Sequence, residues 1–365
     1  MIDMIKRNLR RIKIVSQREI SYHSLQLREV NLELTHRCNL KCKMCGVWIK
    51  GVDPSLQELT AAEYLDIFQQ MKNIGVRLVT LTGGEPFIRK DLFNIVEAAK
   101  SKGLTCNVFT NGTLIDDLAV ERIFGYGIDK IIVSIDGLGP IHDSIRGVSG
   151  AFDKAIGALS NVVAERRSRG KKKPELDIHM TLLNENVGDI AQLSTLCQRL
   201  GVNFSFQTYS ESNEQDIDQT LSQAETIRSL RYLPHDETLR FSEEDIRQIR
   251  RELAQLPVTF YTRLLSSFTD EDLRYGVIPI KRCYITRNFM MVDPYGNVFP
   301  CTNLDRYIVG NVRDERLAKI WRGERYEALR RKLTQHLFPA CTHCCHCADN
   351  LSMMQLIKII LREPK

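Results

Sequence analysis

Val30-Asn31-Leu32-Glu33-Leu34-Thr35-His36-Arg37-Cys38-Asn39-Leu40-Lys41-Cys42-Lys43-Met44-Cys45 decides how the chain reads. Residues 30–35 read as a strand, and they run straight into a loop with three cysteines spaced C-x3-C-x2-C. Zinc sites and ferredoxin runs are built on C-x2-C pairs, which Cys38 and Cys42 do not form. Three thiolates are also one fewer than a cubane iron–sulfur cluster takes from a protein. One iron would then stay open to a small molecule, as catalytic metals keep one position open. The site would sit where a strand ends, which is where α/β folds place their chemistry. The plainer alternative is a structural metal knuckle or a set of buried thiols.

Outward from this loop the pattern alternates. Strand-like runs lie at 30–35, 77–82, 104–110, 130–135, 176–183 and 202–208. Amphipathic helical stretches lie between them at 61–73, 90–102, 114–124, 152–167 and 187–200. Such alternation predicts a parallel sheet with right-handed crossovers, and six units give an open, partial α/β barrel. The basic run 166–173, with Gly170 and then Pro174, reads as a solvated loop. From 210 the alternation stops, and 210–223 is polar. A helix starts after Ser242, a good N-cap with Asp245 three positions on, and ends before Pro257. Residues 288–292 and 298–300 flank Asp293-Pro294-Tyr295-Gly296-Asn297, which predicts a β-hairpin. Cys283 precedes that hairpin and Cys301 closes it. A helical stretch at 317–333 leads to Cys341, Cys344, Cys345 and Cys347, and 353–361 reads as a docking helix packed on the core. The expected division is an extension at 1–28, the barrel at 29–208, a helix-bearing linker at 209–281, a cysteine-rich unit at 282–350 and a tail at 351–365.

Composition sets wide bounds. The chain has 365 residues, 43% hydrophobic and 26% charged, enough for one large domain and a smaller one. Its net charge of +6, from 51 basic and 45 acidic residues, permits an anionic partner without requiring one. No apolar run approaches the roughly 20 residues of a membrane span, and no signal-peptide core opens the chain. Eleven cysteines without an export signal point to a reducing cytoplasm and to metal ligation rather than disulfides. Near the N-terminus Ile5, Leu9 and Ile12 recur at helical spacing among Lys6, Arg7, Arg10 and Arg11. That pattern fits a helix packed on the domain surface, or a basic amphipathic helix against a membrane or an anionic partner.

Further polar motifs end the other strands. Leu81-Thr82-Gly83-Gly84-Glu85-Pro86 follows the second, where glycines allow close backbone approach and Glu85 can accept from an ammonium group. Thr110-Asn111-Gly112 ends the third, and Ser134-Ile135-Asp136-Gly137 ends the fourth. His142, Asp143 and Arg146 follow; Arg146 suits a carboxylate, and ordering their own loop is the alternative role for all three. His179, Thr181 and Gln207 are candidate pocket residues. Cys106 and Cys197 read as buried apolar cysteines.

A strand followed by C-x3-C-x-Met-C, with Gly83-Gly84-Glu85 ending the next strand, resembles the radical S-adenosylmethionine (SAM) superfamily. The resemblance implies that Cys38, Cys42 and Cys45 hold a [4Fe–4S] cluster whose fourth iron binds the amino and carboxylate groups of SAM. One electron then cleaves SAM, and the 5′-deoxyadenosyl radical takes a hydrogen atom from substrate. It further implies Met44 near the adenine, Gly83, Gly84 and Glu85 at the SAM amino group, Ser134 on SAM, Asp136 on SAM or substrate, and Arg146 in the same cofactor site. Cys283-x12-Gly296-x4-Cys301 with Cys341-x2-Cys344 resembles the SPASM and Twitch extensions, and so implies an auxiliary [4Fe–4S] cluster on Cys283, Cys301, Cys341 and Cys344. Six cysteines stand from Cys283 onward, whereas two fully ligated cubanes take eight, so one auxiliary cluster is expected. Cys341-x2-Cys344-x2-Cys347 begins like a ferredoxin run but has Leu351 at the fourth position, so Cys347 is an alternative ligand and Cys345 the spare. A zinc site is the alternative there.

The resemblance implies as partners a peptide or small-molecule substrate and an electron donor such as flavodoxin or ferredoxin. The rival class is a non-enzymatic iron–sulfur electron carrier or scaffold, which would not cleave SAM. Nucleic acid ranks low, because the basic residues are spread rather than clustered with aromatics.

Overall fold

The computed structural model describes residues 26–50, 52–209, 237–275, 280, 282–304, 307–338, 341 and 350–361. The N-terminal amphipathic pattern, the 210–223 segment and Cys344, Cys345 and Cys347 lie outside them. Six strands, β1 (Glu29–Glu33), β2 (Leu78–Thr82), β3 (Thr105–Thr110), β4 (Lys130–Ser134), β5 (Glu175–Leu182) and β6 (Asn203–Thr208), form consecutive parallel pairs. Each falls within about a residue of its predicted run. The sheet is open and consistent with a partial barrel: β6 is one edge, and β1 does not pair with it.

Short helix α1 (Gly46–Lys50) follows the cysteine loop, and crossovers run through α2 (Ala61–Asn73), α3 (Leu92–Ser101), α4 (Asp117–Gly125), α5 (Gly139–Arg146), α6 (Ala151–Ser168) and α7 (Ile190–Leu200). Helix α2 shows how local sequence sets these elements. Thr60 and Glu63 form a capping box, and Tyr64, Ile67, Phe68 and Met71 recur at helical spacing on the buried face. Helix α5 falls in a segment for which the sequence pattern predicts no helix. It starts at Gly139-Pro140, which resembles a turn, and ends at Gly147 with φ +71°. The basic run at 166–173 is partly helical rather than a free loop. Arg166 donates to the carbonyls of Pro174 at 3.1 Å and Gly201 at 3.2 Å, and Lys173 pairs with Asp129.

Past the linker helices α8 (Glu243–Gln255), α9 (Phe260–Ser266) and α10 (Asp270–Tyr275), the sheet resumes. Strand β7 (Phe289–Val292) pairs in parallel with β1, residue Glu29 opposite Phe289 and Leu32 opposite Val292. It then turns through Asp293–Gly296 into β8 (Asn297–Phe299), which pairs with the short β9 (Gly310–Asn311). The predicted hairpin is thus the continuation of the barrel sheet, in the order β6-β5-β4-β3-β2-β1-β7-β8-β9. One hydrophobic core runs from Leu27 through the barrel to Ile359.

The helical stretch at 317–333 is two helices, α11 (Leu317–Trp321) and α12 (Glu324–Gln335), because extended backbone at Gly323 starts a new helix. Arg330 of α12 is 1% exposed. Its guanidinium lies 4.0 Å from the Trp321 ring and 4.1 Å from the Tyr326 ring, and it donates to the carbonyls of Thr286 and Trp321. Tyr326 donates to the Phe289 carbonyl at 2.8 Å, which ties α12 to β7. Helix α13 (Met353–Leu361) buries Leu356 and Ile359, in keeping with the docking role expected of it. No described helix is long and apolar enough to cross a membrane.

Because β7 completes one side of β1, truncating a β7 side chain should loosen both. Met290 has no exposure and stands opposite Val30. Met290→Ala should cost about 2–5 kcal/mol in urea unfolding, and hydrogen exchange should show β1 amides losing protection along with those of β7.

Candidate active site

The three cysteines sit on a loop clamped on two sides. On one side is the turn after β2. Gly84 N donates to Thr35 O at 2.7 Å and Glu85 N to Arg37 O at 2.9 Å. A Cβ on Gly83, which has φ +128°, would stand 2.4 Å from Thr35 O, and one on Gly84 would stand 2.1 Å from Arg37 O. In this structure, then, the close approach that the two glycines permit is to the cysteine loop itself. On the other side, Lys41 N and Lys43 N donate to the carbonyls of Arg146 and Ile145 in the last turn of α5, on either side of Cys42. Gly147 fits there because a Cβ would come within 2.6 Å of Lys41 O.

Glu85 is fully buried, and its carboxylate is in use within the chain. It accepts from Phe87 N at 3.0 Å, Thr110 Oγ1 at 2.7 Å and Asn111 N at 2.8 Å. Burial pushes its carboxyl above the usual range while these donors pull it down. Glu85 therefore joins the end of β2 to the end of β3. Asn111 carries the link onward, donating to Asn39 Oδ1 at 2.9 Å between Cys38 and Leu40. Nothing in sequence spacing announced the Asn39–Asn111 pair.

Behind Cys42 lies a second buried network. Asp136, at the end of β4, has no exposure; it accepts from Thr181 N at 2.9 Å and stands 2.6 Å from Arg146 Nη2. Its own N–H donates to His142 Nδ1 at 3.0 Å, and Asn186 donates to its carbonyl at 2.7 Å. Arg146 Nη1 is 3.6 Å from Cys42 Sγ. Asp143 does order its own segment, accepting from Gly150 N and Phe152 N. Ser134 is buried at the end of β4. His179 on β5 meets the Phe109 ring of β3 and shares a hydrogen bond of 3.0 Å with its register partner Ser205 of β6, so side chains of β3, β5 and β6 meet on one face of the sheet.

Cys38, Cys42, Met44 and Cys45 pack in one small apolar cluster with Leu40 and Ala151. Burial, reinforced by Cys42, Glu85 and Cys45, pushes the Cys38 thiol up to about 11, and burial raises Cys42 as well. Three thiols this close cannot all ionise without a cation, and an iron–sulfur cluster supplies one while displacing their protons. The donor set therefore fits the cluster. Farther along, Cys283, Cys301 and Cys341 are all buried, and burial together with nearby Cys283 pushes Cys341 up to about 12. Among the described residues, the three thiols included, no group of three or more His, Cys, Asp or Glu side chains is placed to hold a single metal ion, so it is in chemical kind, three cysteines in one apolar cluster, that this set suits an iron–sulfur cluster. Cys106 and Cys197 lie in the hydrophobic core, as read from the sequence.

Glu85→Ala should strand Phe87 N, Thr110 Oγ1 and Asn111 N in a buried place, lowering stability by about 3 kcal/mol, with a matching drop in the urea midpoint. His179 gives a pH signature. Burial, with Arg146 and Lys130 nearby, lowers its pKa from 6.5 to about 4, against opposing contributions from Gln207 and Asp177. The unfolded chain therefore binds the proton first, so this contribution is present above about pH 6.5 and is lost as pH falls toward 4. Stability at pH 5 should be about 1–2 kcal/mol below that at pH 7 through this group, and His179→Asn should flatten that part of the profile.

Comparison with known proteins agrees with this arrangement. The model of the radical SAM superfamily matches residues 32–197, and that of an iron–sulfur cluster-binding domain, SPASM, matches residues 283–347. The chain is 26% identical to pre-heme d1 synthase of Dinoroseobacter shibae, over 88% of this chain and 81% of the relative. It is also 26% identical to the PqqA peptide cyclase of Rhizobium meliloti, over 79% of this chain and 72% of the relative. The crystal structure of Streptococcus suis SuiB bound to S-adenosylmethionine shares the fold, with a TM-score of 0.62 at 18% identity over 84% of this chain and 68% of that one. Both domains occur in that order in this chain, with the paired cysteine sets to match, so the protein is an enzyme of the radical SAM superfamily that uses S-adenosylmethionine and [4Fe–4S] clusters and carries a C-terminal SPASM domain.

Proposed function

We propose that Cys38, Cys42 and Cys45 hold the SAM-cleaving [4Fe–4S] cluster. Met44, Gly83, Gly84, Glu85, Ser134, Asp136 and Arg146 would hold SAM beside it. The observation that supports this reading is that these residues lie at or follow the C-terminal ends of β1, β2 and β4, with Arg146 brought back against Cys42 by α5, around a loop fixed through its own backbone. A cluster bound there would supply the one electron that splits SAM into methionine and a 5′-deoxyadenosyl radical, which would take a hydrogen atom from substrate. The chain's own share is to hold the three thiols and keep water away, since such a radical reacts with whatever lies nearest. Leu40, Val148 and Ala151 line the thiols with apolar surface.

Cys283, Cys301 and Cys341, with Cys344 or Cys347, would hold one auxiliary cluster. The barrel of 29–208 would then carry SAM chemistry, and the unit of 282–350 electron transfer or substrate anchoring. A low-potential donor of the flavodoxin or ferredoxin kind would supply the electron, in the cytoplasm.

The substrate is a small molecule or a peptide. The match to pre-heme d1 synthase over 88% of the chain favours a small molecule of heme type. The match to PqqA peptide cyclase over 79% favours a peptide. Anaerobic 5′-deoxyadenosine production by the reconstituted, reduced protein separates the two. Stimulation by the small-molecule fraction of host extract supports the first, and stimulation by its peptide fraction the second. No 5′-deoxyadenosine with intact clusters would overturn the reading in favour of an electron carrier. Replacing Cys38, Cys42 and Cys45 together with Ala should abolish SAM cleavage while iron for one cluster remains; total loss of iron would remove the C-terminal assignment.

A further inference from the structure

Arg146 is 8% exposed and spans two partners. One end of its guanidinium is 3.6 Å from Cys42 Sγ, and the other is 2.6 Å from Asp136 Oδ2. Its Nε is buried with no hydrogen-bond partner, and so is His142 Nε2 nearby. The backbone around this contact is fixed, because the carbonyls of Ile145 and Arg146 themselves hold Lys43 and Lys41. The clamp thus holds the Arg146 backbone beside Cys42, while the contacts of the guanidinium are made by the side chain alone.

We infer that Arg146 and Asp136 form a charge pair that sets the reduction potential of the cluster ligated by Cys42. The inference rests on the proposed role of Cys42 as a ligand. A hydrogen bond from a cation to a ligating sulfur stabilises the extra negative charge that arrives with one electron, and so raises the potential. Asp136 has the opposite sign and sits on the far side of the same guanidinium, so it holds that rise back. The two residues act on the cluster through Cys42, which makes them positioning and tuning groups for the electron-transfer step. Such a pair separates two tasks. Loop geometry is set by backbone bonds and potential by side chains, so a side-chain change can alter one without the other.

The test is a redox titration of the reconstituted full chain with dithionite as the one-electron reductant, followed by electron paramagnetic resonance. In the wild-type chain the SAM-cleaving cluster is recognised as the one whose signal changes when SAM is added; its SAM-free spectrum then identifies it in each variant, and the other cluster serves as internal reference. Arg146→Met should make reduction roughly tenfold less favourable, a shift of about 59 mV to more negative potential for a one-electron couple. Asp136→Asn should shift the same cluster the opposite way, with the reference cluster unmoved. Opposite signs are what a purely structural role cannot produce. Unmoved potentials, or shifts of the same sign, overturn the inference. Should Arg146→Met fail to hold iron, Arg146→Lys, which keeps the charge on a different reach, and Asp136→Asn decide by the same comparison. A wild-type chain with no SAM-responsive cluster would instead sink the assignment of Cys42, which keeps the two failures apart.

Discussion

Two carbonyl oxygens, those of Thr35 and Arg37, stand where no side chain could stand beside them. The turn at Gly83-Gly84 lies against them closely enough that a methyl group at either glycine would overlap the loop. Everything at the site depends on that approach. It brings the end of β2 against the cysteine loop and buries Glu85 where it can reach β3. Main-chain bonds fix the loop ahead of Cys38. The C-terminus of α5 does the same around Cys42. Main-chain bonds of this kind carry little net energy each, yet they leave few alternative paths for the segment between them. The loop that carries the thiols is therefore held by main-chain bonds on both sides.

The second constraint is the sheet. A partial barrel leaves strand edges whose N–H and C=O groups need partners. Here β7 supplies partners for β1, and the hairpin that begins the second cysteine unit is built on that strand. Cys301 thus follows a strand of the same sheet whose β1 leads into Cys38. Arg330, packed against both Trp321 and Tyr326, and the Tyr326 bond to Phe289 hold α12 onto β7.

Much of this was legible in the sequence, for physical reasons. Strand runs such as 77–82 and 130–135 are short, apolar and set between helical stretches, and Ser242 and Asp245 mark a helix start without tertiary help. The C-x3-C-x2-C spacing is local, so it survives in one dimension. Other features are not local. The pairing of β1 with β7 joins residues some 260 positions apart in sequence, and no periodicity signals it. Helix α5 hid behind Gly139-Pro140, which reads equally as a turn. Glu85 and Arg146 were visible as charged residues near strand ends, but their partners, Asn111 and Cys42, were set by folding. The split of 317–333 turned on one glycine, which sequence alone treats as tolerable within a helix.

The position of β7 also bears on the order in which the protein is made. When a growing chain has emerged only as far as β6, β1 already lies against β2 but its other edge has no neighbour. The three cysteines follow directly from that half-covered strand. Until residues 289–292 leave the ribosome, roughly eighty residues later, the nascent barrel presents an unpaired edge of the kind that draws other chains. A chain cut short before β7 would therefore differ from the full one in more than the loss of its last cysteines.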